Sequence, residues 1–107
     1  AALVKAEEAY EMMTKNGRQA VGFDTKVGEI KPGFKADLTV INYPAPHLID
    51  ERRLMSNFIY SATGGDVLSV FVDGKPLMLE RKLTQIDEEE VLNKITEIMR
   101  KADNLLP

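Results

Sequence analysis

The sequence predicts an α+β fold, in which helices at both ends of the chain flank a short series of strands. Residues 6–14 are good helix formers, and apolar residues recur at helical spacing along 91–102. Between them, the apolar segment 67–72 is followed by Asp73-Gly74, a dipeptide typical of a tight hairpin turn. The predicted units are helical residues 1–22, a small β domain at 23–84, and a C-terminal amphipathic helix at 85–107.

Composition limits the classes of function that this chain can have. At 107 residues and 12.0 kDa it forms at most one small domain. A net charge of -3 and a pI near 5.2 argue against nucleic acid as a partner, because phosphate binding needs a clustered basic surface. No apolar run approaches the ~20 residues that span a bilayer, so we expect no membrane partner. The lack of cysteine excludes disulfides and thiolate chemistry and favours a cytoplasmic location.

The N-terminal helix is predicted to end early. Glu7 and Glu8 lie near its start, where the helix dipole favours negative charge. Asn16-Gly17 is expected to end it, because both residues tolerate the left-handed conformation found after helices. Residues 18–21 would then add one short helical turn, closed by Gly22.

Residues 23–46 are predicted to form a loop and a first strand. Pro32-Gly33 suits the two central positions of a type II turn, because proline presets the first φ and glycine supplies the positive second one. Residues 38–41 are apolar or β-branched and predict a strand. The prolines within 43–46 would end it, since proline cannot donate to a ladder.

Segment 67–72 is predicted to be a strand buried on both faces, since every residue in it except Ser69 is apolar. A return strand would run over 76–80, and 81–84 would lead away from it. A strand such as 67–72 needs neighbours on both sides, and the chain does not obviously supply them. We therefore expect either strands from elsewhere in a parent chain or a partner subunit at an open sheet edge. Residues 54–60 fit a helical face but span only about two turns, so they stay ambiguous.

The C-terminal helix has the clearest pattern. Asp87 is predicted to cap it, with Glu90 completing a pair that resembles a capping box. Asp103-Asn104 is expected to mark fraying. The apolar stripe at helical spacing comprises Val91, Leu92, Ile95, Ile98, Met99 and Ala102.

Residues that could hold a metal or a phosphate are few. His47 is the single histidine, whereas a hydrolase zinc or iron site needs three or four converging ligands, so we expect it to pack or hydrogen-bond locally. The acidic run 87–90 is better explained by the helix dipole than by a divalent cation. Gly64-Gly65-Asp66 is expected to be a turn, because no Lys-Ser/Thr follows it as in a phosphate loop.

The candidate nucleophiles lack a base. Ser56, Ser61 and Ser69 have no plausible histidine nearby, so a hydrolytic triad is unsupported. Tyr60, near Asn57, could contact a ligand, but a buried tyrosine with a satisfied hydroxyl is the favoured interpretation. We predict no catalytic, cofactor-binding or metal residue in this chain.

Several motifs in register resemble the closing part of a metal-dependent amidohydrolase. The matching segments, in chain order, are Ala6–Ala9, Asn16–Gly22, Gly28–Ile30, Pro32-Gly33, Ala36–Leu38, Ser56–Ala62, Asp66-Val67 and Val70–Lys75. The first two resemble the last helices of that superfamily's barrel, and the next three its return into a small β domain. The remainder are similar to the aminohydrolase branch that includes S-adenosylhomocysteine and methylthioadenosine deaminases, guanine deaminase and triazine hydrolases.

This resemblance implies a parent enzyme built as a (β/α)8 barrel with a small β-sandwich. Residues 1–22 would be terminal barrel helices, and 23–84 a partial β-sandwich with a β-hairpin. Zinc or iron in the parent's barrel would activate water for attack on a ring carbon, releasing ammonia. The family's histidine and aspartate ligands cannot be placed in this chain, so we expect no cofactor here. Lys5 replaces the usual Ser or Thr cap, so the first helix is expected to start earlier or to fray.

The leading hypothesis is therefore the C-terminal structural part of a metal-dependent hydrolase that deaminates a purine-like or other heterocyclic amine. The chain does not begin with methionine, which favours a piece of a longer protein. Its expected partner is the remainder of the parent chain, with homo-oligomer formation as a further expectation, and the chain alone is expected to be inactive. The alternative is a stand-alone interaction module that homodimerises through an open sheet edge.

Overall fold

A four-stranded antiparallel sheet lies at the centre of the computed structural model, which describes residues 3–22 and 26–107. The strands are adjacent in chain order, so each connection is local except the one between the first two. They are β1 (Leu38–Ile41), β2 (Val67–Val72), β3 (Lys75–Leu79) and β4 (Lys82–Leu83). Four helices accompany the sheet in the described residues, so the predicted α+β class is confirmed.

The strand β2 is an interior strand, which corrects the prediction that the chain does not supply it with neighbours on both sides. Leu38 of β1 pairs with Phe71 on one side, and Met78 of β3 pairs with Val70 on the other. The predicted burial on both faces is also wrong, because Val72 is 45% exposed and Ser69 is the one fully buried residue of the strand. The open edges of this sheet are therefore β1 and β4.

The hairpin turn between β2 and β3 has the predicted type I′ geometry. Asp73 and Gly74 both have positive φ, 50° and 76°, as this turn requires. The return strand begins at Lys75, one residue before the predicted start, and a β-bulge interrupts its pairing with β2 between Val70 and Phe71.

A second tight turn, which the sequence did not reveal, folds residues 81–84 back onto the sheet as β4. Glu80 and Arg81 both adopt positive φ, 46° and 68°, although neither is a residue typical of such turns. Hydrogen bonds to β2 hold them: the Glu80 N–H donates to Ser69 Oγ (3.1 Å), and the Arg81 N–H donates to the Leu68 carbonyl (2.7 Å). The prediction that this segment leads away from the sheet is therefore wrong.

Two short helices, α1 (Ala6–Met13) and α2 (Lys15–Ala20), form the N-terminal part. The break lies at Thr14, not at Asn16-Gly17, which are inside α2. A Cβ on Gly17 would lie 2.8 Å from the Met12 carbonyl oxygen, so this glycine permits close approach of the backbones rather than ending a helix. The predicted closure at Gly22 is confirmed by its φ of 66°.

The start of α1 differs from both expectations for a lysine cap. Lys5 is extended, and helical geometry begins at Ala6. The Glu8 carboxylate accepts the Lys5 N–H at 3.3 Å, which satisfies one of the donors that a helix start leaves open. The helix therefore needs no earlier start.

The loop from Lys26 to Asp37 contains the predicted type II turn. The Phe34 N–H donates to the Lys31 carbonyl at 3.1 Å, and Gly33 has a φ of 85°. Residues 23–25, which the prediction included in this loop, lie outside the described residues.

The ambiguous segment is a helix, α3 (Leu54–Ser61), entered through a 3₁₀ turn at Glu51–Arg53. It packs against α1, where the rings of Tyr10 and Phe58 meet edge to face with centroids 6.5 Å apart. This contact joins the N-terminal helices to the segment that leads into β2.

The C-terminal helix α4 (Glu88–Leu105) begins as predicted and ends later than predicted. The Asp87 carboxylate accepts the Glu90 N–H at 3.1 Å, which confirms the N-cap, while the Glu90 carboxylate lies 2.9 Å from Lys94. The helix continues through Asp103-Asn104, where fraying was expected. It makes no extensive contact with any other described helix or strand.

No described helix is both long and apolar enough to cross a membrane.

Little apolar surface is buried within the described residues. The buried apolar side chains are Val27, Ala45 and Leu48, all of them in loop segments rather than on the sheet. The radius of gyration is 18.8 Å, whereas a compact domain of this length has about 13 Å. Burying each further Val, Leu, Ile or Met side chain would add about 1.5–3 kcal/mol to the free energy of unfolding. The exposed apolar side chains of this chain do not make that contribution.

Because α4 stands apart from the sheet, its helicity should depend on its own cap. We expect Asp87→Ala to cost about 1 kcal/mol of helix stability and to move the ¹³Cα shifts of 88–92 towards coil values. Asp103→Ala is the matched control, because an acidic residue near a helix C-terminus gains nothing from the dipole. Unchanged shifts in Asp87→Ala would show that other contacts hold α4.

Candidate functional site

The carboxylate of Asp66 belongs to a buried residue and accepts hydrogen bonds from two other residues. A 3₁₀ turn at Gly64–Asp66 places it directly before β2, which confirms that the glycine pair forms a turn. The carboxylate accepts the Thr63 N–H at 2.8 Å and lies 2.9 Å from Nε2 of His47. The whole residue is 7% exposed. It therefore holds together the turn from which β2 starts.

His47 binds this carboxylate from a loop 19 residues earlier in the chain. Its Nε2 lies 2.9 Å from both Asp66 oxygens, and because a carboxylate only accepts, Nε2 must carry the hydrogen that is donated. The sequence predicted a hydrogen-bonded loop histidine but not this distant partner. The backbone reinforces the link, since the Asn42 N–H donates to the Asp66 carbonyl at 2.7 Å. The pair therefore joins the end of β1 and its loop to the start of β2.

Hydrogen bonding controls the charge state of Asp66. The Thr63 N–H and then the His47 ring stabilise the ionised carboxylate and hold the pKa of Asp66 below its usual value, against a smaller opposing effect of burial. The residue is thus a permanent acceptor near neutral pH. It does not have the raised pKa of a general acid.

A second ionic cluster surrounds Glu29. Burial raises the pKa of this carboxyl, but the charges of Lys31, Lys15 and Arg18 outweigh it and lower the pKa overall. Lys15 and Arg18 of α2 both lie 3.4 Å from the Glu29 carboxylate, and Arg18 also donates to the Val27 carbonyl at 2.5 Å. The cluster fastens α2 to the loop before β1.

The other candidate residues do not come together. Ser69 accepts the Glu80 N–H and is buried in β2, while Ser56 and Ser61 lie on α3. Tyr60 on the same helix is 72% exposed, which corrects the expectation of a buried tyrosine. Asn57 is half-buried there, and Asp87 to Glu90 form the cap and first turn of α4.

Among residues 3–22 and 26–107, no three His, Asp or Glu side chains form a group that could hold a metal ion. His47 and Asp66 are one pair, and each already satisfies the other. The arrangement can brace loops and fix a turn. The expectation that this chain holds no catalytic or metal residue stays a prediction.

Comparisons with known proteins give a family and a fold. The model of the amidohydrolase family matches residues 1–77. A 5-methylthioadenosine/S-adenosylhomocysteine deaminase of Dictyoglomus turgidum is 45% identical over 89 residues, covering 83% of this chain and 21% of the relative. One of the same name from Acetivibrio thermocellus is 40% identical over 100 residues, covering 94% of this chain and 23% of the relative. A 5'-deoxyadenosine deaminase of Methanosphaera stadtmanae is 42% identical over 87 residues, 81% of this chain and 20% of the relative.

A solved structure shares the fold over almost the whole chain. It is an adenosine deaminase from Xanthomonas campestris with bound zinc, similar at a TM-score of 0.83 and 24% identity. The likeness covers 95% of this chain and 23% of that one. This chain thus spans about a fifth to a quarter of the length of the proteins that it matches.

The carboxylate of Asp66 should make the start of β2 sensitive to acid. A lowered pKa contributes stability that is present above the ordinary aspartate value of about 3.9 and is lost as pH falls through the folded-state value. We expect the wild type to lose more stability than Asp66→Asn below about pH 4. Urea unfolding followed at the Thr63 amide measures this, with Asp103→Asn as control. Equal acid sensitivity of wild type and Asp66→Asn would contradict it.

Proposed function

We propose that this chain, which belongs to the amidohydrolase family, is the C-terminal structural part of a metal-dependent hydrolase that deaminates a purine-like or other heterocyclic amine. The observation that carries the proposal is the match to proteins named as deaminases. It extends over more than four fifths of this chain but about a fifth of their length. The reacting groups would then lie in the larger part of the enzyme.

The exposed apolar surface supports the structural half of this proposal. Met12 and Met13 of α1 are both more than half exposed, and Leu79 and Leu83 of the sheet are also exposed. Isolated apolar side chains on a surface are ordinary, but here they are exposed on all four strands and on α1, α3 and α4, while few side chains are buried. This pattern is typical of a part that packs on something larger. The remainder of the enzyme is the partner we propose.

The proposed division follows the predicted units. Residues 1–22 would lie against the barrel as its terminal helices, and 23–84 would form part of a β-sandwich. Strands from the rest of the enzyme would add to its open edges. The exposed edges β1 and β4 are suited to such additions, because an unpaired strand offers free N–H and C=O groups. Residues 85–107 would form the closing helix.

The chemistry proposed for the whole enzyme is hydrolytic release of ammonia from a ring carbon. Zinc or iron bound outside this chain would supply an activated water. The described residues would act by bracing: the Asp66–His47 pair and the Glu29 cluster hold loops and turns in fixed positions. This chain would therefore be inactive alone.

The alternative is a stand-alone module that homodimerises through an open sheet edge. The observation that first favoured it does not hold in the structure. That observation was an unpaired strand at 67–72, and β2 is paired on both sides. Edge pairing through β1 or β4 would still give a dimer in solution, and sedimentation of the chain over a range of concentrations tests it.

A chimera tests the proposal directly. We expect activity to survive when this chain replaces the matching 100 residues of the Acetivibrio thermocellus deaminase. Its kcat/KM should stay within about tenfold of that enzyme, or about 1.4 kcal/mol. Ammonia release from 5-methylthioadenosine is the measurement, before and after removal of metal with a chelator and return of zinc.

Two controls complete this test: the relative with those residues deleted and the 107-residue chain alone, both expected to be inactive. A folded but inactive chimera would contradict the proposed function. Metal-dependent turnover by the chain alone would contradict the claim that the chemistry lies elsewhere.

A further inference from the structure

The helix α4 carries an apolar stripe that no described element covers. Five of its side chains are between 43% and 65% exposed, and they lie on one side of the helix along three successive turns. They are Val91, Leu92, Ile95, Ile98 and Met99. At a rise of about 1.5 Å per residue the 18-residue helix is roughly 27 Å long, and the stripe from Val91 to Met99 covers roughly 12 Å of it.

The width of the stripe indicates what kind of surface covers it. In a heptad that begins with Ile95 at position a, the next apolar residues, Ile98 and Met99, fall at d and e. Val91 and Leu92 repeat that d, e pair one heptad earlier. Three apolar positions in seven are typical of a helix packed on a globular core, whereas a two-stranded coiled coil uses a and d alone. The stripe therefore fits a broad apolar surface better than a second copy of the same helix.

The charges of α4 give the same indication. Coiled-coil partners are selected by charged pairs between e and g positions of the two helices. Here the e positions hold Leu92 and Met99, and the g-position Lys94 and Lys101 lie 2.9 Å and 3.2 Å from Glu90 and Glu97 of their own helix. The charged side chains on the polar side thus form ion pairs within α4. The apolar stripe is therefore the surface available for contact with another part of the protein.

We infer that the stripe of α4 docks on the part of the same enzyme that lies outside this chain, and the inference rests on the proposed function. This chain spans 23% of the Acetivibrio relative, so most of that polypeptide is available to cover it. The likeness to the Xanthomonas chain covers 95% of these residues and so includes most of α4, which stands away from the sheet in this arrangement. The helix α4 lies apart from its own sheet, and its apolar stripe has the width typical of a helix packed on a globular core. It is therefore positioned to contact a neighbouring domain.

Hydrogen exchange in the chimera with the Acetivibrio deaminase tests the docking. We expect the amides of α4 to exchange at least about tenfold more slowly there than in the 107-residue chain, at every protein concentration. Leu92→Gln/Met99→Gln should remove this protection. Asn93→Gln/Thr96→Gln changes neighbouring positions on the polar side, also without altering charge, and should leave it intact.

The outcomes separate this inference from the proposed function. A folded, active chimera whose α4 amides exchange as fast as in the chain alone would overturn the docking and leave the function standing. Protection that grows with concentration would mean that a second copy covers the stripe. An inactive but folded chimera counts against the function, and its α4 exchange still decides the docking. If the chimera does not fold, sedimentation of the 107-residue chain decides: a dimer abolished by Leu92→Gln/Met99→Gln would overturn the inference, and a stripe that forms no dimer would support it.

Discussion

The pairing of β2 with β1 on one side and β3 on the other is the interaction on which the rest of the structure depends. At one end of the β1–β2 pair, Asp66 joins the loop after β1 to the segment before β2, because its carbonyl accepts from Asn42 and its carboxylate accepts from Thr63 and His47. At the other end, the Asp37 carboxylate accepts the N–H of Asp73 in the hairpin turn at 2.7 Å. The loops are thus fastened at both ends of the β1–β2 pair.

The same arrangement leaves most apolar side chains without cover. Hydrogen bonds specify which strands meet, but a net contribution of about 0.5–1.5 kcal/mol each does not replace a hydrophobic core. The buried apolar residues Val27, Ala45 and Leu48 lie in loop segments, while the sheet and α4 keep exposed apolar surface. The matched relatives are about four times as long as this chain, and exposed apolar surface of this extent supports the proposal that the chain packs on the rest of such an enzyme. In the proposed enzyme, the brace at Asp66 and the exposed stripe on α4 would have complementary roles: the first would fix the shape of this part, and the second would attach it to the rest.

Local features were predictable from the sequence, and features that depend on distant partners were not. The turn at Asp73-Gly74, the strand β1 and the cap at Asp87 follow from residues within four positions of one another, where backbone sterics decide the outcome. The turn at Glu80-Arg81 escaped prediction because bonds to Leu68 and Ser69 stabilise it, not its own residues. His47 was expected to pack or hydrogen-bond locally, whereas its partner Asp66 lies 19 residues away, beside the end of β1 where β2 starts. Gly17 looked like a helix end, although its role is close packing.

Calorimetry of the 107-residue chain is the most direct measurement of whether it is one part of a larger fold. Unfolding a complete domain changes the heat capacity by about 12–15 cal/mol/K per residue, or roughly 1.3–1.6 kcal/mol/K at this length, because buried apolar surface becomes hydrated. With so little apolar surface buried, we expect the isolated chain to give less than about half of that change, in a broad transition. A single sharp transition with the full heat-capacity change would show a self-sufficient domain and would contradict the interpretation of this chain as one part of an amidohydrolase.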